Sequence, residues 1–363
     1  SDSINAIGLL IGGILIPIFG LMMIGDGNVL DGLNIITTEN PEKFKSMGGA
    51  TDPVPFYTIF TGMMLVQLFY WGTNQQIIQR ALGAKNLKEG QKGLLLASFI
   101  KILGPIIVVL PGIIAFHLFQ GNLESADSAY PALVRKVLPS AWVGFFAAVL
   151  FGAILSSFNS VLNSSVTLFG IDVYKEHINK EADEKTVVKY GKIFGIFLAI
   201  AAMFIAPLIA NAGSLFDYLQ EINGIYSIPI LTIIVVGYLT KRVPAIAAKI
   251  GLVSGCLLYI ISQFFMQPYF VNSALATASA NGITDAAELT LVEAQAYPHF
   301  LDVMAILFAL NIIIMLLIGK IKPRETDFVQ EYTQQVDIKP WKYVKFAGLG
   351  ICIIVIGVYV YFA

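Results

Sequence analysis

The apolar residues of this chain come in blocks of twenty or more, separated by short charged stretches. About twenty such residues, coiled as helix, cross the ~30 Å of hydrocarbon in a bilayer. Backbone in hydrocarbon must satisfy its own hydrogen bonds, and an α-helix does this within one segment. The pattern therefore predicts an all-α protein that crosses a membrane many times, with the lipid bilayer as its first partner. Composition agrees: 56% of residues are hydrophobic and 13% charged, against roughly half and a quarter in soluble domains. A net charge of −1 gives no general attraction to nucleic acid. Cys256 and Cys352 lie inside apolar blocks and read as small hydrophobes, which implies neither a disulfide scaffold nor a zinc site.

Nine segments meet the tests of length, apolarity and flanking charge: 3–25, 54–82, 91–117, 141–172, 186–210, 214–238, 244–267, 298–319 and 341–362. They read as one transmembrane domain over residues 1–363. Two kinds of loop alternate between them. Eighteen of the 23 Lys and Arg residues fall in one kind, from Arg80 to Lys345. Four fall in the other: Lys43, Lys45, Arg135 and Lys136. Basic loops face the cytoplasm, so Ser1 is expected inside and Ala363 outside. The remaining cation, Lys101, sits within the third segment. Ser1-Asp2-Ser3 runs straight into an apolar helix, as an internal helix begins, so further helices are expected to precede it; a processed terminus is the alternative. The outer stretch 268–297 is too polar to cross and is expected to be a loop with room for a short surface helix.

Function in a membrane protein is sought where polar groups sit at membrane depth. Segment two carries Gln67, an aromatic triplet Phe69-Tyr70-Trp71, then Gly72, Thr73, Asn74, Gln75, Gln76 and Gln79. Aromatic faces beside amides suit a sugar, with its apolar ring faces and hydroxyl edges. An interface belt accounts for Tyr70 and Trp71 but not for the amides on the following turns. Lys101 is either a lysine that snorkels to the interface or a buried ammonium that donates to hydroxyls, a carboxylate or carbonyls. Gly104, Pro105, Pro111 and Gly112 predict an irregular helix beyond it. Segment four carries Ser156, Ser157, Ser160, Ser164, Ser165 and Thr167 with Asn159 and Asn163. Such hydroxyls either bond back to their own helix or, at Ser156 and Ser157 with the carbonyl of Ala153, supply oxygens to sodium. Segment six opens with Asp217, Gln220 and Glu221; the last two point about 100° apart and do not share one cavity equally.

No metalloprotease, P-loop, dinucleotide-binding or nucleophile-elbow pattern is present, so the chain does not read as an enzyme. The stretches "YWGTNQQIIQRALGAKN" at 70–86, "AILSSFNSVLNSSVTLFGIDVYKE" at 153–176 and "FDYLQEINGIYSIPI" at 216–230 resemble the sodium:solute symporter family, most nearly its bacterial sodium/galactose (sodium/glucose-type) members. The resemblance runs over essentially the whole chain. It implies a leucine-transporter-like fold of two inverted five-helix repeats, of which this chain would hold the last nine helices of fourteen. It also implies roles for single residues. Gln67, Tyr70, Trp71, Lys101 and Gln220 would contact a sugar, with Tyr70 stacking on it. Ala153, Ser156 and Ser157 would bind Na+, and Asp2 would lie near the sodium exit path. Galactose transporters carry Asn at the position of Gln67, so the implied solute is a sugar or polyol and not galactose in particular. The expected function is sodium-coupled secondary active symport of a hexose or related polyol by alternating access. The alternatives are the same fold and coupling with a carboxylate solute (an amino acid, sialic acid or vitamin), or a channel or sensor. No feature of the sequence specifies an oligomer.

Overall fold

The computed structural model describes residues 2–52, 54–120, 122–123, 125–209, 215–330 and 336–363, without the side chains of residues 2, 3, 216 and 217. The described α-helices are, in order, α1 (Asp2–Ile24), α2 (Val29–Glu39), α3 (Gly62–Gly72), α4 (Gln75–Leu82), α5 (Leu87–Lys101), α6 (Leu110–Phe119), α7 (Ala129–Val137), α8 (Ser140–Leu168), α9 (Glu184–Ile209), α10 (Leu215–Leu239), α11 (Ala245–Ile260), α12 (Gln267–Ala280), α13 (Ala286–Ala296), α14 (Phe300–Ile321) and α15 (Val344–Tyr361). No strand occurs among the described residues. Among the described residues, eight helical stretches are long and apolar enough to cross a membrane: Ile4–Ile24, Leu87–Phe119, Ser140–Ile178, Glu184–Ile209, Tyr218–Leu239, Ala245–Ala280, Ala286–Ile321 and Val344–Tyr361. The chain is thus an all-α, multi-pass membrane protein.

The segment predicted at 54–82 is helical but broken. α3 ends at Gly72 and α4 begins at Gln75. Both ends at the break are satisfied locally, which is what lets a helix stop there. The Thr73 hydroxyl donates to the Phe69 carbonyl at 2.8 Å, and the Asn74 side chain accepts the Gln76 N–H at 3.0 Å.

The stretch 268–297, expected to be a loop with room for a short surface helix, is helical over most of its length. α11 passes through a π-helical stretch, Ile261–Met266, directly into α12, which ends at Ala280. Gly282, at φ +84°, reverses the chain, and Asp285 caps α13 by accepting the Ala287 and Glu288 N–H groups, each at 3.1 Å. Alanine-rich sequence is polar on a hydropathy scale when mixed with Ser and Asn, yet alanine is the best helix former.

The chain divides into two compact units. One comprises Ser1–Lys45, Gln79–Leu215 and Ile338–Ala363; the other comprises Ser46–Ile78 and Phe216–Asp337. In the first, α1 packs on α6 and α8 around Ile16, Ile114 and Phe146, with Ile36 of α2 and Leu133 of α7 completing the core. Lipid tails are as apolar as leucine, so close van der Waals packing rather than water exclusion holds such helices together. Gly12 shows this: a Cβ there would lie 2.1 Å from the Phe146 ring.

In the second unit, Val66 of α3, Ile228 of α10, Tyr259 of α11 and Leu301 and Met304 of α14 form one core. Ala247, Gly251, Gly255 and Tyr259 recur every four residues on α11 and are all buried. That small-residue stripe seats α14: a Cβ on Gly251 would touch Met315, and one on Gly255 would lie 2.2 Å from the Asn311 amide nitrogen.

Candidate functional site: the α3 aromatic–amide turn and the α8 hydroxyl face

Gln67, Tyr70 and Trp71 share the last turns of α3. Residues 67 and 71 are four apart and so lie one above the other on the helix. The Trp71 indole N–H donates to the Gln67 amide oxygen at 2.9 Å. The Gln67 amide nitrogen in turn faces the Met63 sulfur at 3.6 Å. Tyr70 meets Trp71 edge to face, with ring centroids 5.3 Å apart. Gln67 and Trp71 are exposed while Val66 and Phe69 are buried, so α3 turns its amide–indole pair away from its packed face. Phe69 anchors that packed face on Tyr226 of α10, centroids 5.8 Å apart.

Gln220 is half-buried on α10, in the same unit. It precedes Gly224 by one turn. A Cβ on Gly224 would lie 2.4 Å from both the Tyr259 ring and the Met304 methyl, so α10 is pinned to α11 and α14 at that level. The Tyr259 hydroxyl donates to the Glu221 carbonyl at 2.9 Å, which fixes the turn that carries Gln220. The side chain of Asp217 lies outside the described residues.

Ala153, Ser156 and Ser157 belong to the first unit, on α8. Spacings of three and four bring the Ala153 carbonyl and the two hydroxyls to one face. Asn5 of α1 packs against this helix beside Ala153: a Cβ on Gly152 would lie 2.9 Å from the Asn5 amide oxygen. The back-bonding alternative holds for Ser160, Ser164, Ser165 and Thr167, whose hydroxyls donate to the carbonyls of Ser156, Ser160, Val161 and Asn163 at 2.8–3.0 Å. Ser157 is exposed and, among the described residues, makes no such bond. The hydroxyls of segment four thus divide into a back-bonded set, Ser160, Ser164, Ser165 and Thr167, and the exposed Ser157.

Below Ser156 the first unit holds a polar cavity of about 390 Å³, lined by Gln79, Arg80, Ser156, Asn159, Ser160 and Asn163. The Arg80 guanidinium donates to the Ser160 hydroxyl at 2.6 Å, and the Gln79 amide reaches the Ser160 carbonyl at 3.5 Å. The sequence placed Arg80 among basic loop residues and so missed it here. Its signal was its position directly after the amide-rich turn, on a short helix with one strongly polar face.

Lys101, also in the first unit, is the last residue of α5 and is exposed. The helix changes character there as its glycines and prolines predict: a π-helical stretch, Pro105–Val109, follows before α6. Asp2 opens α1, and its side chain lies outside the described residues.

Asn311 is a polar core residue that sequence reading did not reach. Buried on α14, it accepts a hydrogen bond from Ser254 at 3.1 Å. Its sequence signal is one amide inside an otherwise apolar run.

Comparison with known proteins gives three findings. The family model described as "Sodium:solute symporter family" matches residues 1–255. The chain is 46% identical over 360 residues to the Escherichia coli K12 protein named "Uncharacterized symporter YidK", covering 99% of this chain and 58% of that protein. It is 33% identical over 287 residues to the sodium/glucose cotransporter of Vibrio parahaemolyticus (73% and 52%) and 32% identical over 240 residues to human sodium/myo-inositol cotransporter 2 (60% and 35%). The chain therefore spans between about a third and three fifths of the length of these relatives.

Proposed function

This chain belongs to the sodium:solute symporter family, a family of carriers and not of enzymes, and we propose that the whole protein couples inward sodium flow to uptake of a hexose or related polyol. Sodium is then a co-substrate that crosses the membrane, not a resident cofactor. The observation that carries this reading is the division of hydroxyls on α8. Sodium is a hard cation that takes oxygen ligands. The Ala153 carbonyl keeps a second lone pair beyond its helical bond, Ser157 stands beside it outside the back-bonded set, and Ser156 adds a neighbouring hydroxyl. In a membrane span, a hydroxyl that does not bond back to its own helix is a costly feature that a transported cation explains.

The solute side of the proposal rests on α3 and α10. Tyr70 and Trp71 offer aromatic faces to a sugar ring, and Gln67 and Gln220 offer amides to its hydroxyls. Lys101 is assigned as a donor to solute hydroxyls. The names of two relatives, a sodium/glucose and a sodium/myo-inositol cotransporter, support a neutral polyhydroxylated solute over a carboxylate. Segment 54–82 is taken as a ninth crossing built of two helices in a single transmembrane domain. The basic loops face the cytoplasm of a bacterial inner membrane, and Asp2 flanks the sodium exit path.

The test is uptake by the whole protein in proteoliposomes. Labelled galactose is supplied outside, with or without an inward sodium gradient, against unlabelled hexoses, inositol and carboxylates as competitors. Sodium-dependent uptake blocked by hexoses or inositol is the expected result. Displacement by carboxylates alone would replace the sugar with an acidic solute, with Lys101 as its counter-charge. Current far beyond carrier turnover without sodium coupling would make the protein a channel.

A further inference from the structure

α5 and α15 start side by side in the first unit: the Trp341 N–H donates to the Gln91 side chain at 2.8 Å, just before α15 begins. From that end the two helices leave an apolar groove of about 420 Å³ between them, walled by Leu96 and Phe99 of α5 and Gly350 and Ile354 of α15. Lys92 and Trp341 line the same groove at its shared N-terminal end. From Lys92 to Phe99, as from Ala347 to Ile354, is seven residues, or about 10 Å of helix, so the apolar walls run well into hydrocarbon. Among the described residues, no side chain closes the groove at Gly350, where an added Cβ would meet nothing within 4 Å.

The chemistry of the open end is that of a headgroup region. Trp341 and Tyr343 meet edge to face at 5.7 Å, and such aromatics sit at the membrane–water boundary. Lys92 is partly exposed and holds one carboxylate, Glu89, at 2.9 Å. Around that pair the sequence supplies Lys85 and Lys88 on one side and Lys342 and Lys345 on the other, so positive charge is in excess. Basic pockets between transmembrane helices take anionic headgroups.

We propose that this groove seats one acyl chain of an anionic phospholipid, with its phosphate at the Lys92 end, in the leaflet where the basic loops lie. The groove supplies the apolar contact and the lysines supply the choice of headgroup.

The experiment places the whole protein in phosphatidylcholine nanodiscs containing increasing fractions of brominated phosphatidylglycerol or brominated phosphatidylcholine. The signal of Trp341 is the fluorescence difference between the parent and Trp341→Phe. Brominated phosphatidylglycerol is expected to quench it at about fivefold lower mole fraction for each lysine engaged, since each near-surface cation contributes about a kilocalorie per mole. Lys92→Gln and Lys342→Gln should bring the two lipids together. Gly350→Leu, which fills the groove without touching the basic end, should weaken quenching by both. Equal quenching by the two lipids in the parent would overturn the proposal. So would a preference that Lys92→Gln leaves undiminished, or one that survives Gly350→Leu, because the anionic lipid would then sit on the surface and not in the groove.

Discussion

The Trp71 indole is held by Gln67 across one turn of α3, nitrogen to oxygen at 2.9 Å. Shortening residue 67 by one methylene draws the amide back by over an ångström, roughly one C–C bond, and breaks that bond. Gln67→Asn is therefore expected to change solute preference, read as a severalfold shift in the competitor concentration that halves uptake. The pair is exposed, and a hydrogen bond of this kind contributes only about 1 kcal/mol to stability, so thermal stability in detergent should hardly move. An unchanged competitor ranking would remove Gln67 from the solute site.

Comparing Ser157 with Ser165 tests whether the proposed sodium ligand differs from a helix hydroxyl. The Ser165 hydroxyl is bonded to the Val161 carbonyl at 3.0 Å. Ser157→Ala is expected to raise the sodium concentration for half-maximal uptake by about tenfold, equivalent to roughly 1.4 kcal/mol, whereas Ser165→Ala leaves it nearly unchanged. Sodium titration of initial uptake rates, at matched expression, is the measurement. Equal effects of both variants would return Ser157 to the structural hydroxyls.

Gly255 is where α11 admits a polar side chain of α14, Asn311. An added Cβ would lie 2.2 Å from the Asn311 amide and 2.7 Å from the Pro229 ring, and Asn311 is 1% exposed. Overpacking of this kind costs about 1–3 kcal/mol. Gly255→Val should lower the unfolding temperature in detergent by several degrees, while Gly350→Val, which meets open space, should not. Full stability of Gly255→Val would mean that the seam yields easily.

Outside the membrane, Arg242 and Asp327 tie the α10–α11 turn to the segment after α14. Arg242 donates to the Asp327 carboxylate at 2.7 Å, and backbone bonds run from Arg324 to Arg242 and from Phe328 to Lys241. The guanidinium holds the Asp327 carboxyl below its ordinary value. A carboxyl lowered in the folded state contributes stability above its unfolded pKa, about 3.9, and loses it as pH falls through the lowered folded value. Amide exchange at residues 324 and 328, corrected for the intrinsic rate, should lose protection below about pH 4 and with added salt, because both groups are solvent-exposed. Asp327→Asn should abolish that dependence; protection that still falls with acid in this variant would assign the effect to another group.

Much of this protein was legible because hydrocarbon is a strict solvent. A charge such as Lys101 inside an apolar block stands out in one dimension, as do Gly72 and the amides after it, beside which the break between α3 and α4 falls. The helix through Ala280 was not legible, because hydropathy reports what a residue dissolves in and not the conformation it adopts. Nor could the run of hydroxyls on α8 be sorted by composition. Whether a serine bonds to its own helix depends on its rotamer, and Ser157 and Ser165 look alike in sequence.

By itself, then, the sequence determined that the chain is helical, that it crosses a membrane repeatedly, which loops are basic, and which polar side chains are carried into the apolar spans. These follow from solvation and from spacing along one helix, and neither depends on a neighbour. Tertiary structure alone decided that Arg80 reaches Ser160, that Asn311 is buried against Gly255, and that α5 and α15 leave a groove at Gly350. Each of these is a distance between residues remote in sequence. Packing fixes such distances through the volumes of facing side chains, which no local pattern encodes.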